Sequence, residues 1–291
     1  MSRRKNNWVG LAYVAPALTF VAVFVLWPLG HLIILSFSSQ SLLGGGDWVG
    51  FDNYHRLMSD KNFWKAMVFT LTYTVYLTPI LLVLNLGLAL LTARNTKLRQ
   101  VTRTVIFLPV VIGLASSSLL WYWLFDQQVG LFNKLLVDTG ILSEPLVWFK
   151  KANTGQLAVI ISVVWKVVGF GMILMVVGIQ AISNDVIEAS KIDGASAFLR
   201  VRRIIIPLAA RSIILATLIS AIGSMLAFDQ FYLMTGGGPR GQTFTTVYWI
   251  YQSSFIRFEL GYGSAQAVIL MGIITTGTAL QLYMTRKGTR T

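Results

Sequence analysis

The segment LAVIISVVWKVVGFGMILMVVGIQAI runs from Leu157 to Ile182 and contains one charged side chain, that of Lys166. About 20 consecutive apolar residues are enough for a helix to cross the hydrocarbon core of a bilayer. This run is longer than that, and an apolar run of this length is not typical of a soluble protein. The segment therefore predicts a membrane-spanning helix.

The whole chain has the composition of a membrane protein. Of its 291 residues, 55% are hydrophobic and 12% are charged, and the mean hydropathy is +0.67. Soluble domains carry about 25% charged residues. Long apolar runs predict an all-α, polytopic fold with six transmembrane helices, which we treat as one transmembrane domain over residues 1–291. The six predicted spans are Trp8 to Phe37, Ala66 to Ala93, Val105 to Phe125, Leu157 to Ile182, Leu208 to Met234 and Ala265 to Met284.

The basic residues predict the orientation of these spans. Six spans put both termini on one side, together with fifteen of the lysines and arginines, whereas eight lie in the loops of the other side. Lys and Arg are retained in cytoplasmic loops, so we expect both termini in the cytoplasm. Arg3, Arg4 and Lys5 precede the first run as in a signal peptide, but that run is longer than a signal core. We therefore expect an uncleaved anchor.

The net charge of +13 could also indicate nucleic-acid binding. Its concentration on one side of the predicted spans makes it a topology signal, so we expect no nucleic-acid partner. The chain has no cysteine, and His31 and His55 do not form a repeated ligand spacing. We therefore expect no metal site.

Two charged residues fall inside the predicted spans, Lys166 and Asp229. Ionised groups in a membrane usually face a partner or a wet cavity. We expect both to face the interior of the helix bundle and to lie on the solute pathway. An ion pair between them is one arrangement that this allows, and two separate structural residues are the other.

The connection between the fourth and fifth spans is longer than a minimal loop needs. It runs from Ser183 to Pro207 and begins with Ser183, Asn184 and Asp185, any of which can cap a helix. Gly194 can end that helix, and Pro207 stands where a new helix can begin. The pattern predicts a helix, a turn and a second helix on the cytoplasmic side.

This loop resembles the EAA loop of binding-protein-dependent ABC importer permeases, in which Glu-Ala-Ala precedes a Gly and then Ile-x-Leu-Pro at fixed spacing. The resemblance implies a type I ABC importer permease fold and a coupling helix at 183–207 that docks on a separate ATP-binding subunit. A surface helix lying on the membrane is the alternative. The matching and neighbouring residues, which the resemblance makes candidates for ATPase coupling, are Glu188, Ala189, Ser190, Asp193, Gly194, Ile204 and Pro207.

A second resemblance concerns the carbohydrate-uptake branch of that family, which includes maltose-like and glycerol-3-phosphate-like systems. The stretch Thr235 to Pro239 is similar to the branch's Thr-x-Gly-Gly-Pro segment, and Phe51 to Tyr54 and Gly130 to Asn133 match two of its loop patterns. An ordinary turn is the alternative for the glycines. The residues that we expect near a binding-protein interface are Gly236, Gly237, Gly238 and Pro239.

The resemblance implies a bacterial inner-membrane transport subunit for a sugar, glycoside or oligosaccharide. Its expected partners are a second, related permease, two copies of an ATP-binding subunit and an extracytoplasmic solute-binding protein. A polyol-phosphate importer of the glycerol-3-phosphate type and a stand-alone secondary carrier remain alternatives. Each pathway candidate could equally be a packing residue; these candidates are Trp121, Tyr122, Trp165, Lys166, Phe228, Asp229, Gln230 and Tyr232.

No catalytic residues are expected. Gly236 to Thr243 approaches the Gly-x-x-x-x-Gly-Lys-[Ser/Thr] pattern of an ATPase, but Gln242 stands in the place of the lysine and no strand precedes it. The chain should therefore bind no cofactor of its own, and ATP and Mg should be used by the partner ATPase.

Overall fold

The structure is a computed structural model that describes residues 6–288, with side chains described from residue 10 to residue 283. This part of the chain is nearly all helical and has no strand, with one isolated antiparallel bridge between Ser38 and Trp48. The α-helices are α1 (Asn6–Val21), α2 (Trp27–Leu35), α3 (Asp52–Ser59), α4 (Lys61–Thr92), α5 (Lys97–Val111), α6 (Leu114–Leu124), α7 (Leu131–Asp138), α8 (Ala152–Gln180), α9 (Asn184–Ile192), α10 (Ala197–Arg200), α11 (Ile206–Leu208), α12 (Ala210–Met225), α13 (Thr246–Tyr251) and α14 (Leu260–Gly288).

The predicted all-α polytopic fold is confirmed. Within the described residues, four helical stretches are long and apolar enough to cross a membrane, and two bent helix pairs bring the number to six if each pair is one span. The orientation of the termini stays a prediction, and Arg3, Arg4, Lys5 and Arg290 lie outside the described residues. The four uninterrupted stretches are Gly10–Leu35, Lys61–Thr92, Ala152–Gln180 and Leu260–Tyr283.

The third predicted span is not one continuous helix. Helices α5 and α6 meet at an angle of 97°, and Ile112 and Gly113 between them have extended backbone. Pro109 lies in the last turn of α5, where it cannot donate a backbone hydrogen bond. The continuous helix predicted from Val105 to Phe125 was therefore wrong in shape, although the apolar run that it was based on is present.

The fifth predicted span is also broken. Helix α12 ends at Met225, and the three residues Leu226, Ala227 and Phe228 are non-helical. Helix resumes at Asp229 and continues as a π-helical stretch at Phe231–Thr235. The hydroxyl of Thr245 donates to the carbonyl oxygen of Ala227 at 2.7 Å and so satisfies one backbone group that the break leaves free. The prediction of one helix from Leu208 to Met234 was wrong here, because hydropathy does not register a break that a distant side chain stabilises.

The first span continues through its proline. A π-helical stretch at Ala22–Leu26 comes just before Pro28, which occupies the first turn of α2. In a continuous helix a proline removes one backbone hydrogen bond and crowds the preceding turn, and the π-helical turn just before Pro28 accommodates this local disruption. Pro28 therefore modifies the helix locally without ending the apolar run from Gly10 to Leu35.

The described chain forms two compact units. The first contains the residues up to Phe63 together with Trp249–Ile273, and the second contains Trp64–Tyr248 together with the residues from Ile274 onward. In the second unit, α8 is central and packs against α5 and α12. A Cβ on Gly169 of α8 would lie 2.4 Å from the carbonyl oxygen of Ile106, so this close approach of α8 to α5 requires glycine.

In the first unit, Asn53 holds the end of the first span. Its side-chain amide donates to the carbonyl oxygens of Ser36 and Ser38 at 2.9 and 2.8 Å, and it is buried. The hydroxyl groups of Ser36 and Tyr54 lie 2.6 Å apart. The asparagine and tyrosine of the Phe51 to Tyr54 pattern thus have structural roles.

A polar network in the same unit surrounds Asp60. Tyr262 donates to one carboxylate oxygen at 2.7 Å, and the backbone N–H groups of Asn62 and Phe63 donate to the other. Burial raises the pKa of Asp60, but these hydrogen bonds outweigh it, so the pKa is lowered overall. Arg56 pairs with Glu259 at 2.9 Å, which raises the pKa of the arginine.

In the second unit, Asn133 organises the segment between α6 and α8. Its amide nitrogen donates to the carbonyl oxygens of Asp126 and Leu146, and its amide oxygen accepts from the N–H groups of Leu146 and Trp148, all at 3.0 to 3.1 Å. All four hydrogen-bonding positions of the amide are therefore used. The side chain is 2% exposed, so protein groups rather than water supply the hydrogen bonds of this amide.

Candidate functional site

The segment from Ser183 to Pro207 has the helix-turn-helix form that its sequence predicts. The hydroxyl of Ser183 accepts from the N–H of Asp185 at 3.2 Å and caps α9. At the other end, Gly194 has φ of +77°. The N–H of Ala195 donates to the carbonyl oxygen of Ser190 at 2.9 Å, and that of Gly194 donates to Lys191 at 3.1 Å. This is a Schellman C-cap, which favours glycine at this position.

The second helical part follows immediately. The Ser196 hydroxyl accepts from the N–H of Leu199 at 3.3 Å and caps α10. A π-helical stretch at Val201–Ile205 leads into α11, where Pro207 lies in the first turn, and α12 begins at Ala210. The segment is therefore helical over most of its length and joins α8 to α12 without a long flexible loop.

Its exposed surface is unusually apolar. Ile192 is 87% exposed and Phe198 is 72% exposed, although both are large hydrophobic side chains. Ser190, by contrast, is buried, and its hydroxyl donates to the carbonyl oxygen of Ile187. Of the other predicted coupling residues, Ile204 is half-buried and the exposed ones are Glu188, Ala189, Asp193, Gly194 and Pro207.

A cavity of ≈ 850 Å³ with a mixed polar and apolar lining lies between this segment and the ends of α4 and α8. Glu188 lines it together with three basic residues, Arg94, Lys191 and Arg200. Glu188 thus faces the spans, whereas Ile192 and Phe198 do not line this cavity.

A second, mainly apolar cavity of ≈ 260 Å³ lies deeper in the second unit. Both helix breaks border it, since Val110 and Leu114 flank the first break and Leu226 and Phe228 flank the second. Broken helices in mid-membrane commonly form the solute sites of transporters. Three of the predicted pathway residues line it, namely Phe228, Asp229 and Gln230.

Lys166 is buried, as expected, but it does not pair with Asp229. Its ammonium group donates to the carbonyl oxygen of Val110 at 2.8 Å, and the side chain is 6% exposed. In the part of the chain that the structure describes, the one ion pair within 4.0 Å is that of Arg56 with Glu259. Of the two arrangements that the sequence left open, the ion pair is therefore wrong.

The other aromatic candidates lie apart from the mainly apolar cavity. Trp121 contacts Trp165 with ring centroids 5.6 Å apart, and Tyr122 stacks on Phe149 at 5.4 Å. Tyr232 stacks on Phe228 at 5.2 Å, but it does not itself line the cavity. A pathway role for these four residues stays a prediction.

The glycine-rich stretch forms a tight loop after the second break. Gly236 and Gly237 have φ of +57° and +77°, and the Thr243 hydroxyl donates to the carbonyl oxygen of Gly238 at 2.7 Å. Gly236 is exposed, Gly237 is buried, and Gly238 and Pro239 are half-buried. Contact of this loop with a binding protein stays a prediction.

Sequence reasoning missed several residues around the mainly apolar cavity. Ser220, Gly223 and Ser224 line it from α12, and Tyr73 lines it from α4. These residues are small or carry a hydroxyl group inside apolar runs, which could have indicated a cavity lining. Such residues are also ordinary packing residues in membrane helices. The helix breaks determine which residues line the cavity, and the hydropathy pattern did not reveal where those breaks lie.

These features define an all-helical membrane transport subunit with two broken spans and a helical segment between α8 and α12. The chain belongs to the family described as binding-protein-dependent transport system inner membrane component, whose model matches residues 57–289. It is thus a multi-pass inner-membrane permease subunit of an ATP-driven importer, and a transport component rather than an enzyme.

Curated relatives match nearly the whole chain. The sulfoquinovosyl glycerol transport system permease protein SmoG of Agrobacterium fabrum is 32% identical, over 97% of this chain and 91% of its own. The lactose transport system permease protein LacF of Rhizobium radiobacter is 32% identical, over 97% and 94%. The sn-glycerol-3-phosphate transport system permease protein UgpA of Brucella abortus is 32% identical, over 94% and 93%.

A solved structure shows the same fold. A chain in the crystal structure of a bacterial alginate ABC transporter, in complex with an alginate pentasaccharide-bound periplasmic protein, matches with a TM-score of 0.84. The sequences are 20% identical, and the match covers 99% of this chain and 97% of that one. The similarity confirms the type I importer permease architecture.

Proposed function

We propose that this chain forms half of the translocation pathway of a sugar importer and is driven through the segment Ser183 to Pro207. The other half is a second, related permease, and two copies of an ATP-binding subunit dock on the cytoplasmic side. A separate extracytoplasmic protein delivers the solute. ATP and Mg are bound by the ATPase, and this chain binds no cofactor.

One observation carries the coupling role. Ile192 and Phe198 are largely exposed on a capped helical segment that is joined directly to two spans. Exposed large apolar side chains on such a segment indicate a surface that a partner protein covers. A partner that moves this segment also moves α8 and α12, because no long loop separates them from it. Both termini lie in the cytoplasm in this arrangement.

The sugar class rests on the named relatives and on the chemistry of the mainly apolar cavity. Their names include lactose and sulfoquinovosyl glycerol, each of which contains a sugar. The cavity combines an apolar wall with the side chains of Tyr73, Ser224 and Gln230, which can bond hydroxyl groups. Its volume of ≈ 260 Å³ is small beside the roughly 300–1,000 Å³ of typical ligand sites, which supports a site completed by the second permease.

The loop from Gly236 to Pro239 is the part of the proposed pathway that contacts the solute-binding protein. It follows directly on the segment that carries Phe228, Asp229 and Gln230. The Thr243 hydroxyl stabilises this loop by donating a hydrogen bond to the carbonyl oxygen of Gly238. A docked protein that shifted the loop would therefore act on the cavity through a short stretch of chain.

The docking of the ATPase can be tested with a matched pair of variants. Ile192→Asp should remove the apolar contact, so that the ATP-binding subunit no longer co-purifies in mild detergent. Ile141→Asp is the control, because Ile141 is 70% exposed and lies in the segment between α7 and α8. It should leave co-purification and insertion unchanged. Normal recovery of the ATPase with Ile192→Asp would contradict the proposed docking surface.

A further inference from the structure

We propose that the cavity of ≈ 850 Å³ between the segment from Ser183 to Pro207 and the ends of α4 and α8 binds the headgroup of an anionic phospholipid. The basic ligands of its phosphate group are Arg94, Lys191 and Arg200. The proposal rests on the proposed function in one respect, since that function places these ends of α4 and α8 at the cytoplasmic surface. The lipid is distinct from the transported solute, for which the mainly apolar cavity is the proposed site.

The cavity lies where two membrane spans end. Leu90 and Arg94 line it at the end of α4, and Ile179 and Gln180 line it from the last turn of α8. Both helices are long and apolar enough to cross a membrane. The headgroups of a bilayer begin where the hydrocarbon core ends. The ends of these spans therefore lie at the depth where the phosphate groups of lipids are found.

The cavity carries a net positive charge. Its described lining contains three basic residues and one acidic residue, namely Arg94, Lys191, Arg200 and Glu188. In the described part of the chain, no carboxylate lies within 4.0 Å of the three basic groups. Arg200 donates a long hydrogen bond of 3.4 Å to the carbonyl oxygen of Ala195, which leaves most of the N–H donors of its guanidinium group for a ligand. Such donors match the oxygen atoms of a phosphate group.

The rest of the lining favours a lipid over a soluble anion. A phospholipid has an apolar part next to its phosphate group, whereas free phosphate has none and would gain nothing from apolar walls. Basic pockets between membrane helices on the cytoplasmic side bind lipid headgroups in other proteins. The volume also lies within the roughly 300–1,000 Å³ of typical ligand sites. The apolar lining residues are Leu90, Ile179, Ile182, Ile187, Val201 and Ile205.

Glu188 determines which headgroup fits. An ionised carboxylate only accepts hydrogen bonds, and the hydroxyl groups of a glycerol headgroup can donate to it while the basic residues bind the phosphate. Phosphatidylglycerol offers both these hydroxyl groups and a net negative charge. Phosphatidylcholine offers neither. We therefore expect the cavity to prefer phosphatidylglycerol.

The walls of the cavity are held together by the chain itself. The Gln180 side-chain amide donates to the carbonyl oxygen of Ala93 at 2.8 Å and so joins the end of α8 to the end of α4. Ile192 and Phe198, which form the proposed contact with the ATP-binding subunit, do not line the cavity. A lipid and the ATP-binding subunit can therefore occupy different faces of the same segment.

The test uses the whole transporter in phosphatidylcholine nanodiscs. Phosphatidylglycerol with a diazirine on its acyl chain close to the glycerol backbone is added in increasing mole fraction, and phosphatidylcholine with the same label is the comparison. After illumination, mass spectrometry measures crosslinks to residues 90–95 and 183–207 of this chain. Half-saturation should occur at a mole fraction at least about tenfold lower for phosphatidylglycerol.

Substitutions locate this preference in the cavity. Arg94→Gln, Lys191→Gln and Arg200→Gln should each raise the half-saturating mole fraction of phosphatidylglycerol about fivefold. Arg94→Lys keeps the charge and should retain most of the binding. Recovery of the assembled transporter for each variant shows that it has folded.

Three basic residues that do not line the cavity provide the matched control. Lys97, Arg202 and Arg203 are exposed and lie close to it in the sequence. Their substitution by glutamine removes the same charge and should change half-saturation by less than about twofold, because salt screens exposed charges.

Equal half-saturation for the two lipids, or equal effects of the lining and control substitutions, would overturn the proposal. Displacement of the lipid by inorganic phosphate would identify a soluble anion as the ligand and overturn it too. The absence of lipid crosslinks in these two regions would leave the cavity to the ATP-binding subunit and would equally overturn it. If the ATP-binding subunit does not co-purify but the lipid preference is found, the lipid site is supported and the proposed coupling is contradicted.

Discussion

Lys166 of α8 donates a hydrogen bond of 2.8 Å to the carbonyl oxygen of Val110, one residue before the end of α5. The last carbonyl groups of a helix have no partner within the helix, and a cation near them also interacts favourably with the helix dipole. The break after Val111 creates this unpaired carbonyl group in the middle of an apolar run. Lys166 therefore stabilises the broken span, which accounts for a buried lysine without a carboxylate partner.

Lys166→Met should destabilise the protein through this carbonyl group. The methionine fills a similar volume but cannot donate, so the free energy of unfolding should fall by about 2 kcal/mol. Denaturation in mixed detergent and SDS would measure it. Lys134→Met, at an exposed lysine of α7, is the control and should change stability by less than about 0.5 kcal/mol. Equal effects of the two substitutions would argue against the hydrogen bond.

Lys166 and Asp229 should behave independently in a double-mutant cycle. Lys166 is engaged with Val110, and no ion pair joins it to Asp229. The losses of stability from Lys166→Met and Asp229→Asn should therefore add within about 0.5 kcal/mol. If the double variant loses clearly less stability than the two single variants together, the result would indicate an ion pair between Lys166 and Asp229 and contradict the structure.

The sequence could reveal local features of the fold, but not the hydrogen bonds that join distant parts of the chain. Apolar runs located the membrane helices, and Ser183, Gly194 and Pro207 marked the caps and turns of the segment between α8 and α12, because these are local properties of the chain. The partner of Lys166 is a backbone carbonyl group 56 positions away, which no side-chain pattern records. The helix break at Ala227 likewise depends on Thr245, 18 positions further along.

Asn133 should be among the most sensitive positions for stability. Its amide makes four hydrogen bonds in a buried site, so Asn133→Ala leaves several polar groups without partners. The expected loss is about 2–4 kcal/mol. Asn153→Ala, at an exposed asparagine in the first turn of α8, is the matched control. Comparable stability of the two variants in the same unfolding assay would contradict the role of Asn133 as the centre of this network.

The pH dependence of stability should contain a contribution from Asp60. Its pKa is lower in the folded protein than the ordinary value of 3.8, so its contribution is fully present above that value. As the pH falls below about 4 and passes the folded pKa, the carboxylate is protonated in both states and the contribution is lost. Thermal denaturation between pH 7 and pH 3 would measure this decline.

Asp60→Asn should flatten that acid-dependent decline and lower stability at neutral pH, because the amide is a weaker acceptor for Tyr262 and for the first turn of α4. Asp47→Asn, at an exposed aspartate of the same unit, should leave the profile close to that of the unsubstituted protein. A profile for Asp60→Asn that overlies the unsubstituted one would exclude Asp60 as the source.

Gly194 allows the conformation of the segment from Ser183 to Pro207 to be tested apart from its contacts. Its φ is +77°, and a Cβ added there would meet nothing within 4 Å, so a substitution acts through backbone strain rather than a clash. Asparagine tolerates left-handed backbone, whereas a β-branched residue does not. Gly194→Val should therefore disrupt the Schellman turn between α9 and α10, and Gly194→Asn should largely preserve it. In reconstituted transporter, Gly194→Val should lose most of the ATP hydrolysis that the loaded binding protein stimulates, while Gly194→Asn keeps most of it. If both variants lose it equally, the conformation of the turn is not what transmits the movement of the ATPase.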